Sequence, residues 1–265
     1  MAALMLRAAW SYRGFILGSV KREFQAKYGN AVLGAIWAIL NPLAMILVYT
    51  VIFAQIMRSK LPGVDSAYAY SIYLCAGILT WGLFAEICNR ALSMFIEQAN
   101  LLKKVSFPRI CLPLIVVSSA VLNFVIIFAL FTLFLLISGN FPGWSYVAVL
   151  PLLLLQIALA IGLGLILGVL NVFFRDTGQL FSIVLQFWFW LTPIVYSPEI
   201  LPAEVRGWLV WNPMAPVIAG YQRIFVTGQL PAWSSLWPSA MLALLLCAIG
   251  LQLFRRRAGE LVDEL

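Results

Sequence analysis

The segment between Arg109 and Arg175 contains 65 residues without a single Asp, Glu, Lys or Arg. Its middle, residues 138–143, carries the turn-forming sequence Ser-Gly-Asn-Phe-Pro-Gly. A bilayer hydrocarbon core takes about 20 helical residues, so the halves 110–137 and 144–174 are each long enough to cross it. A helix also satisfies its own backbone polar groups in lipid. The sequence therefore predicts two consecutive membrane-spanning helices.

The composition of the whole chain agrees with a membrane protein. Hydrophobic residues make up 63% of the sequence and charged residues only 10%, whereas the surface of a soluble domain needs more charge. Four further apolar segments, 31–57, 68–95, 177–196 and 233–254, are bounded by charged or turn-forming residues. We therefore predict an all-α membrane protein in which one transmembrane domain, residues 1–265, has six transmembrane helices.

Basic residues concentrate on one side of the predicted membrane. If both termini are cytoplasmic, the inner segments carry 13 of the 17 Lys and Arg residues. Lys and Arg in short loops are retained on the cytoplasmic side, so this bias predicts a multi-pass protein with both termini inside. Topology and anionic lipid then explain the net charge of +7, and no nucleic-acid partner is expected. The inner basic residues are Arg7, Arg13, Lys21, Arg22, Lys27, Arg90, Lys103, Lys104, Arg109, Arg175, Arg255, Arg256 and Arg257.

The N-terminal residues 4–28 mix apolar and basic side chains. This mixture is typical of a helix that lies in the cytoplasmic membrane interface, and a plain positive-inside leader is the alternative. A cleavable signal is not expected, because basic residues continue to Lys27 and the first apolar run, at about 27 residues, is too long for one.

The chain lacks the residue patterns that chemistry would require. It has no His, and Cys75, Cys88, Cys111 and Cys247 stand alone without C-x-x-C spacing. No Lys follows a Gly, so the Gly-Lys pair of a phosphate-binding P-loop is absent. We expect no catalytic residue, metal site or cofactor in this chain, and any ATP-driven activity must use a separate ATPase.

Glu86 is the one carboxylate that falls inside a predicted span, and Arg90 follows one helical turn later. Opposite charges at this spacing can pair, and our interpretation is a structural ion pair near the cytoplasmic edge. The scarcity of buried acids and bases disfavours a proton-coupled carrier. It also disfavours a membrane-embedded glycosyltransferase or acyltransferase, the alternative from a different class of protein.

Three patterns inside or beside the spans remain open to two interpretations each. Gly164 and Gly168 form a small-x-x-x-small step that suits either packing within the chain or a dimer contact. The four aromatic residues 187–190 suit either anchoring and core packing or stacking against sugar rings. Residues 97–109 read as a short amphipathic helix stopped by Pro108, or as an ordinary solvated loop.

Taken in order, these segments resemble the type-2 ABC export permeases for cell-surface polysaccharides, especially those that export lipid-linked O-antigen. The resemblance covers nearly the whole chain. It rests on AKYGNAVLGAIW at 26–37 followed by Asn41-Pro42, on NLLKKVSFP at 100–108, on Phe-Arg-Asp at 174–176, on Thr-Pro-Ile-Val-Tyr at 192–196 and on Trp-Asn-Pro at 211–213.

The resemblance implies a homodimeric permease of the bacterial inner membrane that works with two nucleotide-binding ATPase subunits. Those subunits would use ATP and Mg, and this chain would bind neither. The implied substrate is an O-antigen polysaccharide carried on a polyprenyl diphosphate lipid. Export of capsule or teichoic acid by the same machinery is the alternative.

The resemblance also implies roles for particular segments. Residues 4–28 become the interface helix, residues 97–107 the cytoplasmic coupling segment that contacts the ATPase, and residues 198–230 a set of short external helices near the exit. Spans one and five are implied to face the substrate channel, which favours Tyr49, Phe187, Trp190 and Tyr196 as its lining. The ATPase contact is expected at Asn100, Leu101, Lys103, Lys104 and Phe107. The lipid head-group entrance is expected at the basic residues of the interface helix, because their charges attract a diphosphate. These residues are Arg7, Arg13, Lys21, Arg22 and Lys27.

Overall fold

The structure of the protein is a computed structural model, and it describes residues 10–28, 36–52, 68–104, 107–257 and 259–260. Over these residues the fold is all-helical, as predicted, and contains no strand. Residues 4–9 of the predicted interface helix, including Arg7, and residues 31–35 and 53–57 of the first predicted span lie outside the described residues.

Most of the described residues lie in α-helices. In chain order they are α1 (Arg13–Tyr28), α2 (Trp37–Tyr49), α3 (Ala69–Glu97), α4 (Ala99–Lys104), α5 (Cys111–Ile137), α6 (Val149–Phe173), α7 (Asp176–Leu191), α8 (Ala203–Trp208), α9 (Ala215–Thr227) and α10 (Trp233–Arg257). Short 3₁₀ helices cover Gly143–Ala148, Pro198–Ile200 and Leu209–Trp211.

Four helices in the described part of the chain are long and apolar enough to cross a membrane: α3, α5, α10, and α6 together with the 3₁₀ turn before it. The first and fifth predicted spans contain the shorter helices α2 and α7. In the first, the described residues 36–52 include α2, which has Pro42 in its interior. In the fifth, α7 ends at Leu191 rather than at the predicted residue 196. Pro193 is the reason, because it has no N–H to continue the helix and forces extended backbone on Thr192 (φ −101°, ψ 133°).

Helix α3 lies at the centre of the bundle, in contact with α2, α5, α6, α7 and α9. Helix α6 is joined to α3 by two buried side-chain amides. Gln156 donates to the Thr80 carbonyl at 2.5 Å, and Asn171 donates to the Leu92 carbonyl at 3.0 Å. Interhelical hydrogen bonds of this kind are a usual means of joining helices in a membrane.

Glycines let α6 approach both α3 and α10 at backbone distance. A Cβ atom at Gly164 would lie 2.5 Å from the Ala91 Cβ, and one at Gly168 would lie 2.4 Å from the Ala91 carbonyl oxygen. On the other side, a Cβ at Gly162 would lie 2.8 Å from the Cys247 nitrogen of α10. The small-residue step therefore packs within the chain, which is the first of the two interpretations of this motif.

The two ends of the bundle differ in charge. At one end Phe95 of α3 stacks on Phe254 of α10 (ring centroids 5.6 Å apart), and the Arg257 guanidinium lies over Phe173. We call this the basic end, because the adjoining segments of the protein carry Lys103, Arg109, Arg175, Arg255, Arg256 and Arg257. The opposite end is aromatic, and there Phe225 of α9 packs edge-on against Phe131 of α5 at 5.3 Å.

Candidate functional site

Residues 192–197, which separate α7 from the 3₁₀ helix Pro198–Ile200, form a break at the aromatic end of the bundle. Side chains from α3 and α9 hold this break in place. Ile194 within the break is fully buried. The Tyr73 hydroxyl of α3 lies 2.8 Å from the Tyr196 carbonyl oxygen and 3.1 Å from that of Pro193, so its one proton is shared between two acceptors. Gln222 of α9 donates to the Pro193 carbonyl at 3.1 Å, and the Tyr70 hydroxyl donates to the Val195 carbonyl at 2.9 Å. The backbone carbonyls of the break have no helical N–H as a hydrogen-bond partner, and these side chains take that place. Burying a carbonyl without any partner would cost free energy.

Asn212 ties the same break to the start of α9. Its side-chain oxygen accepts hydrogen bonds from the Trp188 indole at 2.9 Å and from the Met214 backbone N–H at 3.0 Å. Its amide nitrogen donates to the Thr192 hydroxyl at 2.9 Å and to the Leu191 carbonyl at 3.2 Å. One side chain of the Trp-Asn-Pro motif thus connects both ends of the irregular segment.

The four consecutive aromatic residues of α7 divide into two faces. Trp188 packs edge-on against Phe84 (5.2 Å) and Trp81 (6.0 Å) of α3, and Phe189 also contacts Trp81. Phe187 and Trp190 face outward, with 65% and 59% of their surface exposed. Core packing therefore accounts for two of the four rings and leaves the two predicted channel residues accessible.

The other two predicted channel residues are half-buried. The Tyr196 hydroxyl donates to the Trp190 carbonyl at 3.0 Å, so the structure brings these two residues together. Tyr49 lies on α2 and packs against the core, and its backbone carbonyl accepts a hydrogen bond from Ser71 at 3.3 Å.

At the basic end, a polar cluster joins α1 to α3 and α5. Arg90 donates to the Glu23 carboxylate at 2.5 Å and lies 3.8 Å from Glu86. Ser119 also donates to Glu23 at 2.5 Å, and Asn123 donates to Glu86 at 3.0 Å. The ion pair predicted between Glu86 and Arg90 is thus present, but Glu23, which the sequence did not single out, makes the shorter contact with Arg90.

The predicted interface helix packs lengthwise against the start of α5. Ile16 and Val20 are buried against Cys111 and Ile115, and Glu23 reaches Ser119 one turn further on. A pocket of 410 Å³ opens between α1, α3 and α5, and its charged lining is Glu23, Glu86, Glu97 and Arg90. Because carboxylates outnumber basic groups there, this pocket does not suit an anionic head group.

The predicted head-group residues lie instead on the exposed surface of α1. Arg13, Lys21 and Arg22 are all exposed. The Arg13 guanidinium lies 4.9 Å from the centre of the Trp10 ring, and Arg22 donates to Ser19 on its own helix at 2.8 Å. Arg7 and the side chain of Lys27 lie outside the described residues.

Among the predicted coupling residues, Asn100 and Lys103 are exposed on α4. Phe107 differs, because it is half-buried and its ring lies 5.1 Å from that of Phe15 on α1. It therefore joins the chain after α4 to α1. The side chains of Leu101 and Lys104 are not among those that the structure describes.

The residues that hold the helix break were not predicted from the sequence. The available signal was their polarity within apolar surroundings, as with Gln222 on α9, where Ile218 and Ile224 are fully buried. Beside Gln222, Tyr221 is also fully buried, and its hydroxyl has no hydrogen-bond partner among the described residues. Burial raises the pKa of the Tyr221 phenol above its ordinary value.

The fold and the site together define an integral membrane protein whose helices are interrupted and then held by buried polar side chains. Within the described residues, no group of three His, Cys, Asp or Glu side chains is placed to hold a metal ion. Comparison with known proteins gives the family: the chain belongs to the ABC-2 type transporter family, whose model matches residues 16–226.

Individual relatives match most of the chain. It is similar to the O-antigen export system permease protein RfbA of Myxococcus xanthus, with 30% identity over 263 residues that cover 98% of this chain and 99% of the relative. A Klebsiella pneumoniae protein of the same name is 30% identical over 79% of each chain. The polysialic acid transport protein KpsM of Escherichia coli is 28% identical over 92% of this chain and 93% of the relative.

Proposed function

We propose that this chain is the membrane-spanning permease of an ATP-driven exporter that moves O-antigen polysaccharide, carried on a polyprenyl diphosphate lipid, across the bacterial inner membrane. The observation that carries the proposal is the nearly end-to-end similarity to an O-antigen export permease. Capsule export is the second candidate, because the similarity to the polysialic acid transport protein also extends over most of both chains, at slightly lower identity.

The proposal includes partners that supply energy and complete the channel. Membership of the ABC-2 family supports a complex of this chain with a second copy of itself and two ATPase subunits. The ATPase subunits would bind ATP and Mg. The exposure of Asn100 and Lys103 supports a contact there with the ATPase. In this arrangement the basic end faces the cytoplasm, both termini are cytoplasmic, and α2 and α7 belong to the first and fifth of six crossings.

The same geometry suggests where the substrate binds. A long polymer must slide, so its contacts should be numerous and individually weak, and exposed rings such as Phe187 and Trp190 meet that need. The exposed cations of α1 would attract the diphosphate, at about 1 kcal/mol for each charge near the membrane surface. Neutralising Arg13, Lys21 and Arg22 together should therefore slow export more than any single change, and unaltered export would exclude this role.

Reconstitution with the ATPase subunit tests the proposed function. Vesicles containing both proteins should move lipid-linked O-antigen in an ATP-dependent manner, whereas the permease alone should not hydrolyse ATP. Reversing the charge at Lys103 to Glu should lower export and ATPase binding. The same reversal at Arg256, an exposed cation on α10, is the matched control and should leave both unchanged. Transport of capsule polysaccharide but not O-antigen would favour the second candidate, and ATPase activity of the permease alone would contradict the proposal.

Replacing Trp190 by Ala tests the proposed channel surface. Because its ring is largely exposed, its loss should lower export several-fold, at about 1 kcal/mol per lost ring contact, while thermal stability in detergent stays nearly unchanged. Trp188→Ala is the contrasting variant, since it removes a ring packed on Phe84 and should lower stability. If Trp190→Ala leaves export unchanged in vesicles with normal ATPase assembly, this face of α7 does not contact the polymer.

A further inference from the structure

We propose that Tyr73 and Gln222 are positioning residues for energy coupling: they hold the broken end of α7 on α3, so that α3 transmits displacements of α4 to the short helices beyond the break. The inference rests on the proposed function, because it takes α4 as part of the contact with the ATPase. Neither residue is required to touch the substrate.

Helix α3 has the form that such transmission requires. Its 29 residues contain no proline and extend about 43 Å at 1.5 Å per residue. Only Gln98 separates α3 from α4, and its backbone N–H bonds back to the Met94 carbonyl at 3.2 Å. A displacement of α4 is therefore passed to α3 without a flexible linker between them.

The other end of α3 is in tight contact with the break. A Cβ at Gly77 would lie 3.0 Å from the Ile194 side chain, 3.1 Å from the Gln222 amide nitrogen and 3.2 Å from the Ile194 carbonyl oxygen. Tyr73, one turn earlier, donates across the same contact. The break is thus held by close packing and hydrogen bonds together, so it cannot slide along α3 without losing both.

Helix α9 extends the same rigid unit. Gln222 bonds to the Pro193 carbonyl from α9, and the fully buried Val217, Ile218, Tyr221 and Ile224 fix this helix in the core, where it contacts α3 and α6. Asn212 adds the end of α7 to this unit, because it bonds to the Leu191 carbonyl, the Thr192 hydroxyl and the Met214 backbone N–H. Displacement of α3 should therefore move the break and α9 together.

The test compares two sets of hydroxyl and amide deletions in the reconstituted complex with its ATPase. The double variant Tyr73→Phe and Gln222→Met keeps the volume of both side chains but removes the donors to the break. Tyr221→Phe is the matched control, because it removes a buried hydroxyl that has no hydrogen-bond partner among the described residues. Hydrogen exchange is measured with and without ATP, alongside ATP hydrolysis and export.

We expect ATP to change exchange both in residues 97–107 and in residues 198–230 of the wild-type chain and of Tyr221→Phe. In the double variant the response of 97–107 should remain, the response of 198–230 should be largely lost, and export should fall by about tenfold while ATP hydrolysis changes by less than about twofold, as expected for the loss of two buried hydrogen bonds. A residue with only a structural role would instead alter exchange in the absence of ATP.

Two outcomes overturn the inference. One is a normal ATP response of 198–230 in the double variant. The other is a wild-type chain whose response is confined to 97–107. Should the double variant fold poorly, Tyr73→Phe alone provides the same comparison with one donor removed. Failure of the proposed function is distinguishable, because it appears as absent export by the wild-type complex, whereas the exchange measurement needs no polysaccharide.

Discussion

Gly168→Ala should destabilise the protein by about 1 to 3 kcal/mol, as overpacking of a close contact does, and no change at Ala91 should reverse this loss. The added Cβ would lie 2.4 Å from the Ala91 carbonyl oxygen, a backbone atom that every residue type retains. Relief therefore requires α3 and α6 to move apart. Unfolding of the purified protein in detergent, followed by tryptophan fluorescence, measures the change.

Gly164→Ala provides the internal control for this prediction. Here the added Cβ would meet the Ala91 Cβ at 2.5 Å, and that atom is absent if Ala91 is replaced by Gly. The pair Gly164→Ala and Ala91→Gly should therefore recover most of the stability that Gly164→Ala loses, less about 1 kcal/mol for a glycine inside a helix. If Ala91→Gly restored the same amount of stability to Gly164→Ala and to Gly168→Ala, the two glycines would not meet different atoms of Ala91, and the prediction would be contradicted.

Asn212→Ala should lower the free energy of unfolding by about 2 to 4 kcal/mol, because it removes four hydrogen bonds of about 1 kcal/mol each and leaves polar partners unpaired. Those bonds join the end of α7 to the start of α9. Ser182→Ala is the matched control. It removes a single exposed bond to the Gly178 carbonyl within α7 and should change stability by less than about 0.5 kcal/mol.

A double-mutant cycle assigns part of the Asn212 effect to one contact. Trp188→Phe removes the indole N–H that bonds to Asn212 but keeps an aromatic ring against Phe84. Combined with Asn212→Ala, it should show a coupling energy of about 1 kcal/mol. Strict additivity of the two substitutions would contradict the hydrogen bond between them.

The long spans could be predicted from the sequence because length and the absence of charge suffice to define them, as in α5. The end of α7 could not be placed as well, since the apolar run continues past Thr192 while Pro193 stops the helix. Four consecutive aromatic residues cover most of a helix circumference, so only the packing of Trp188 on Trp81 and Phe84 reveals which rings face outward.

The contacts that hold the break were beyond sequence reasoning for a different reason. Tyr73 and Pro193 are 120 residues apart, and nothing in either segment indicates the other. A tyrosine near the start of an apolar helix reads equally well as an interfacial anchor. Similarly, nothing in the sequence distinguishes Glu23 from an ordinary exposed glutamate. Only its position beside Arg90 in the structure does so.

The separation of Glu23 from its partners has a consequence for biosynthesis. Arg90 lies 67 residues later in the chain and Ser119 lies 96 residues later, so the first helix is complete long before the groups that bind its carboxylate have been synthesised. During translation α1 therefore forms before these partners exist, and it can reach its final position only after α5 has been synthesised. The N-terminal helix is therefore among the first to form and among the later ones to reach its native contacts.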